Sequence, residues 1–187
     1  MIEYNQLGWK NCEFSYSLTK ICFEEGSILP NLWVPPLYAY YLYFFTFFNF
    51  EQQNYILLIL LTQVFFASVS AAIFYEISKF FFSKKLSLYS SMFFSSFPLY
   101  VYACGQISSI SLQVFLTVLF FYFFYKLIKK NNLASTVFFA VTAGLLILLR
   151  GEFYVILILT LFYLFFLKLK LKNILLIILI SLITISP

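Results

Sequence analysis

The sequence predicts an all-α, polytopic membrane helical bundle of about six transmembrane helices, preceded by an N-terminal extracytoplasmic loop that contains short amphipathic helices. Three observations carry this. Of 187 residues, 63% are apolar and only 10% charged, whereas a soluble domain is roughly half apolar and a quarter charged. The apolar stretches are long and unbroken rather than alternating, which favours helices over a closed barrel, the other backbone solution that lipid permits. Lysines, finally, gather in alternate connections between those stretches.

Residues 1–36 are mixed and polar, with Glu3, Glu13, Glu24 and Glu25 against Lys10 and Lys20. Glu13 to Glu25 reads as a short amphipathic helix stopped by Gly26. Pro35-Pro36 breaks any helix before the next run. Leu37 to Phe50 is apolar and rich in tyrosine but short of the roughly 20 residues a span needs. It reads as a helix lying at the membrane interface. Residues 1–53 thus form the loop with its interfacial helices, and 54–187 the transmembrane bundle. The predicted spans run from Asn54 to Ser78, Leu86 to Cys104 with a kink at Pro98, Ser108 to Leu127, Leu133 to Leu149, Phe153 to Leu167, and from Asn173 to the end. Residues 1–30 lack the apolar core of a signal peptide. The first segment therefore crosses as a short tail, or more chain lies upstream.

Loop charges set the orientation. Lys79, Lys84 and Lys85 follow the first span, Lys126, Lys129 and Lys130 the third, and Lys168, Lys170 and Lys172 the fifth. The turns at Gly105–Ser108 and Arg150–Glu152 carry no lysine. The positive-inside rule makes the lysine side cytoplasmic and the acidic N-terminal segment extracytoplasmic. If Leu37–Phe50 also spanned, the tail alone would change sides.

Composition excludes much chemistry. The chain has no His and no Asp, so a zinc site and most soluble-enzyme catalytic sets are missing. The net charge of +5 reports topology, not nucleic acid. The 27 Phe and 15 Tyr fit the composition of an A+T-rich coding sequence better than they fit ligand stacking. Cys12 and Cys22 can pair in an oxidising compartment; Cys104 stands apart.

Several residues are candidates for chemistry. Arg150, the only arginine, ends an apolar helix on the lysine-free side and is followed by Gly151 and Glu152. A guanidinium there suits a lipid-linked phosphate; the alternative is a snorkelling anchor partly neutralised by Glu152. Glu13 and Tyr16 sit one helical turn apart, where a carboxylate can serve as general base or hold a metal, or simply be solvated. Glu76 is explained by Lys79 three residues on. Gln63, Gln106 and Gln113, with the small-residue patches Ala67-Ser68-Ser70-Ala71 and Ala140-Ala143-Gly144, point to close helix packing.

The order Glu13-Phe14-Ser15-Tyr16, Glu25-Gly26, Pro35-Pro36-Leu37-Tyr38 resembles the first extracytoplasmic loop of GT-C membrane glycosyltransferases, such as protein O-mannosyltransferases and the aminoarabinose transferases of lipid A. Ala143-Gly144-Leu145 through Leu149-Arg150-Gly151-Glu152 resembles that superfamily's apolar helix ending in Arg-x-Glu. The resemblance implies transfer of a sugar from a polyprenyl-phosphate donor to an acceptor at the extracytoplasmic face of a bacterial inner membrane. It implies Glu13 as the catalytic carboxylate and Tyr16, Arg150 and Glu152 as substrate-binding. It assigns no cofactor, a divalent cation being the one a loop carboxylate would hold. It implies as partners the bilayer, the lipid-linked donor and an unassigned acceptor, with no nucleic acid. Two departures stand out. The superfamily's key carboxylate is an aspartate, often paired with another acid, whereas Cys12 precedes Glu13 here and the chain has no Asp. The superfamily also begins with a helix before this loop and continues past the equivalent of Pro187, so the chain is expected to be truncated at both ends. A transporter or flippase and a non-catalytic membrane subunit are the competing readings.

Overall fold

The structure, a computed structural model, describes residues 35–46, 52–130, 132–167 and 171–185. Among them every regular element is a helix: α1 Pro36–Thr46, α2 Gln52–Ser78, α3 Lys84–Ser95, α4 Pro98–Cys104, α5 Ile110–Lys130, α6 Leu133–Leu149, α7 Phe153–Phe166 and α8 Leu171–Ile185. Asn54–Ser78 and Ile110–Lys129 are long and apolar enough to cross a membrane, and Leu133–Leu149, Phe153–Phe166 and Leu171–Ile185 are shorter apolar helices. Large apolar side chains such as Phe65, Phe93, Phe162 and Ile183 stand more than 60% exposed. So much apolar surface is incompatible with water and natural in lipid. The protein is an α-helical membrane bundle, as the composition predicts.

The sequence explains where the helices begin and end. Pro36 opens α1 at its first position, where the missing N–H costs nothing. Asn132 caps α6 by accepting from Ser135 N–H at 2.9 Å. One expectation is corrected. Leu86–Cys104 is not a single kinked span but two helices, α3 and α4. Pro98 has no N–H to continue the ladder, and it drives Phe97 out of the helical region to φ −61°, ψ 119°. Just before the break, the hydroxyls of Ser95 and Ser96 both donate to Met92 O, at 2.9 and 2.6 Å.

Ring stacking and hydrogen bonds fix the registers. α2 and α5 run parallel: Gln63 Nε2 donates to Ser108 O at 3.1 Å near one end, and Phe80 stacks on Tyr125 at 3.9 Å near the other. α3 folds back on α2, with Ser91 Oγ donating to Ala71 O at 2.8 Å and Phe74 stacked on Phe94 at 4.6 Å. α6 returns antiparallel to α5, Phe139 lying against Phe120 and Phe124. α8 runs parallel to α6, and Ser181 Oγ donates to Ala140 O at 3.2 Å. A Cβ on Gly144 would overlap Thr184 Oγ1 and come within 2.7 Å of Thr184 Cβ and 3.2 Å of Ser181 O. Only glycine permits this approach, so the Ala140-Ala143-Gly144 patch is a helix-packing seam. The core centres on α6, where Phe139, Ala140, Ala143, Leu146 and Leu149 are buried.

The connections sort into two ends. The α2–α3 and α5–α6 turns and the start of α8 make a lysine end. The α4–α5 and α6–α7 turns make the opposite end. α1 lies antiparallel along the first half of α2, and its first turn meets that opposite end through Tyr38 and Gln63.

Candidate functional site

The opposite end collects the polar groups. Leu149 is 1% exposed, and the next residue leaves the helix. Arg150 takes an extended backbone (φ −150°, ψ 119°) while its N–H still donates to Leu146 O at 2.8 Å. Its carbonyl then accepts from Phe153 N–H at 3.1 Å, so α7 starts at once. Gly151 faces open space. The result is a tight, exposed Arg-Gly-Glu turn. Among the described residues Arg150 pairs with no carboxylate, Glu152 included; the ion pair there is Lys79–Glu76 at 2.9 Å, as their spacing predicts. Glu76 holds the Lys79 ammonium above its ordinary pKa chiefly through that hydrogen bond.

At the same end of the bundle lies a buried polar node that the sequence shows only as isolated residues. Gln63 is 1% exposed. Its amide nitrogen donates to Tyr38 OH at 3.3 Å and to Ser108 O at 3.1 Å, and its Oε1 meets no partner. Tyr41 OH hydrogen-bonds Thr62 Oγ1, and Tyr55 OH donates to Leu42 O at 3.0 Å. These bonds seat α1 on α2. Burial raises the pKa of Tyr38, with Gln63's hydrogen bond opposing, and burial raises that of Tyr41 likewise.

An apolar groove runs along α5. One cavity of about 610 Å³ lies against Phe97, Leu99 and Ile110. A second of about 490 Å³ reaches Gln113, Thr117 and Phe153. Phe74, Phe94 and Val114 line both, so the two form one trough between α2, α3 and α5. The gap between α3 and α4 makes room for the first. Phe153, three residues past Arg150 and the first residue of α7, is part of the wall of the second cavity. An apolar trough with a guanidinium three residues from its wall in the chain suits an amphiphile whose head is an anion. Pro98 signals the break; nothing in the linear pattern signals the trough, because it depends on how three helices distant in the chain pack together.

Glu13 and Tyr16 lie outside the described residues, as do Cys12, Cys22 and the Glu13–Glu25 helix. The structure therefore brings together Arg150 and Glu152 of the predicted site, as neighbours on one turn. Gln113 contributes to the trough wall, and Gln106 Nε2 bonds Tyr102 OH. Cys104 is buried and accepts from Ser111 Oγ at 3.6 Å. Among the described residues no three His, Cys, Asp or Glu side chains gather as a metal site.

No curated protein and no solved structure matches the chain. The family model of dolichyl-phosphate-mannose-protein mannosyltransferases matches residues 34–187, from α1 through α8 and including the trough and the Arg150 turn. The match covers the Arg150 block and the Pro35-Pro36-Leu37-Tyr38 part of the resemblance, and with the helical membrane architecture it shows the family: the chain belongs to the dolichyl-phosphate-mannose-protein mannosyltransferase family, membrane glycosyltransferases of the GT-C type.

Proposed function

We propose that the protein transfers a sugar from a polyprenyl-phosphate donor to an acceptor at the extracytoplasmic membrane face. The observation that carries this reading is the apolar trough whose wall includes Phe153, three residues past Arg150, a cation with no carboxylate partner among the described residues. The isoprenoid chain occupies the trough and the phosphate meets the guanidinium. The acceptor hydroxyl attacks the anomeric carbon, forming the new C–O bond as the bond to the phosphate oxygen breaks. Its proton passes to a carboxylate, for which Glu13 is the candidate, with Tyr16 and Glu152 binding the sugar or acceptor. Polyprenyl phosphate leaves with one more negative charge than the donor phosphodiester carried. Arg150 stabilises that growing charge, where a positioned donor counts most.

The orientation rests on the lysines, which belong to the cytoplasmic side by the positive-inside rule. Residues 1–53 then form the extracytoplasmic loop region and 54–187 the bundle. α1 begins at Pro36, two residues before the Tyr38 of the node that meets Ser108, at the same end as Arg150.

The test is sugar transfer by the protein in vesicles, supplied with radiolabelled polyprenyl-phosphate sugars. Arg150→Ala is expected to lower turnover about 100-fold, in line with loss of one charge-stabilising donor. Arg150→Lys should keep part of it, and Glu13→Gln should abolish it. Absence of transfer from every donor, with Arg150→Ala altering abundance alone, would assign the chain a non-catalytic role. Labelled-solute counterflow in the same vesicles would make it a transporter.

A further inference from the structure

The lysine end carries a structure of its own. The α2–α3 turn reads Lys79-Phe80-Phe81-Phe82-Ser83-Lys84-Lys85. It is an ordered turn: Phe80 N–H donates to Ile77 O at 3.0 Å, and Phe81 and Phe82 N–H donate to Ser78 O at 3.1 and 2.9 Å. Phe80 stacks on Tyr125 of α5 at 3.9 Å, and Lys129 Nζ lies 5.5 Å above the Phe80 ring and 5.9 Å from that of Tyr125. This aromatic pair joins the turn to the last turns of α5. The adjacent rings are left outward, Phe81 69% and Phe82 51% exposed.

Charge at this end is uncompensated. Glu76 engages Lys79. Lys84, Lys85, Lys126 and Lys129 meet no carboxylate among the described residues. Depth is fixed as well, because the apolar stretch Asn54–Ser78 ends one residue before Lys79. Exposed phenyl rings and ammonium groups without a carboxylate partner therefore lie together at the level where hydrocarbon gives way to headgroups. A soluble polyanion would meet the ammonium groups but leave the outward faces of the Phe81 and Phe82 rings uncovered. A phospholipid satisfies both: its acyl and glycerol region takes the rings, and its phosphate takes the lysines. A zwitterionic headgroup brings its own cation and gains little from the lysines, whereas an anionic one gains from each lysine near the surface.

We propose that the Lys79–Lys85 turn and the Lys126–Lys129 face of α5 form a docking platform for anionic glycerophospholipids in the leaflet that meets the lysine end. This does not depend on the catalytic reading or on which side of the membrane the lysines face.

The experiment uses the whole protein in phosphatidylcholine bilayers with trace spin-labelled phosphatidylglycerol or spin-labelled phosphatidylcholine. The readout is the relative association constant of each lipid with the protein. At low salt, a preference for phosphatidylglycerol of at least about threefold is expected, given the surface attraction of several lysines. It should fall toward unity in about 1 M NaCl, where the screening length shrinks to roughly 3 Å. The triple variant Lys84→Gln/Lys85→Gln/Lys129→Gln should lose at least half of the preference, and Lys84→Gln alone, the variant to read if the triple one fails to insert, a smaller part. Equal association of the two lipids with the wild-type protein at low salt would overturn the proposal. So would a preference that survives both variants, or one abolished by millimolar inorganic phosphate at constant ionic strength, which would make the site one for free phosphate.

Discussion

The two flanks of α5 and α6 are built on different rules. On the α8 side, small residues let backbones meet: Gly144 lies against Thr184 and Ser181, and Ala140 O accepts from Ser181 Oγ. On the α3 side the helices meet through the Ser91–Ala71 hydrogen bond and the Phe74–Phe94 stack, and a trough opens beside that contact. Phe74, Phe94 and Val114 line both parts of the trough, and only Ser87 and Ser91 of α3 are buried. In lipid no hydrophobic force drives helices together, because acyl chains are as apolar as leucine. Close approach and interhelical hydrogen bonds decide which helices adhere. A wall made largely of aromatic side chains leaves space, and space in a membrane bundle can admit a lipid chain. One flank thus serves cohesion and the other, on the proposed reading, the substrate.

Three substitutions sharpen or break that contrast. The largest expected effect is at the seam. Gly144→Val puts a branched side chain into Thr184, and overpacking of this kind costs about 1–3 kcal/mol. Thermal unfolding in detergent micelles should show it, and an unchanged midpoint would mean that α8 does not depend on close contact. In the trough the expectation reverses. Val114→Trp narrows both cavities at once and should reduce sugar transfer about tenfold, equivalent to ~1.4 kcal/mol, through a higher KM for the lipid-linked donor. Its unfolding midpoint should stay near wild type; a large drop would make the trough a packed core instead of a binding surface.

The smallest effect concerns α1, which is held by hydroxyl groups. The folded pKa values of Tyr38 and Tyr41 lie above the ordinary tyrosine value of 10.0 because burial disfavours the phenolate. The stability this represents is complete below pH 10.0 and is lost as pH rises through the raised folded values. Alkaline titration should therefore loosen α1 before it touches the seam. Hydrogen exchange at residues 36–46, measured above pH 10, reads this. Tyr38→Phe should blunt the dependence, and identical behaviour in wild type and variant would remove Tyr38 from the seat of α1.

Parts of the site were legible in the linear chain because they depend on one residue and its immediate neighbours. Arg150 after an apolar helix and before Gly151 predicted an exposed turn on the lysine-free side, and the turn is there. Its independence from Glu152 was not legible, since two residues so close in sequence can pair or diverge with the backbone angles between them. Gln63 was visible as a polar residue within a span, but its link to Tyr38 and Ser108 joins positions far apart in the chain.

By itself the sequence determined which residues live in lipid, where the α2 and α6 helices run, which end carries the lysines, and that Glu76 and Lys79 pair. Each follows from hydropathy or spacing within a single turn. Only the tertiary structure decided that α8 joins α6 in parallel, that Pro98 separates two helices instead of bending one, that α1 packs back along α2, and that a trough opens between α3 and α5 with Phe153 in its wall. Helices that are apolar all round carry no stripe to say which face turns inward, so their partners are chosen by the three-dimensional fit of small and aromatic side chains.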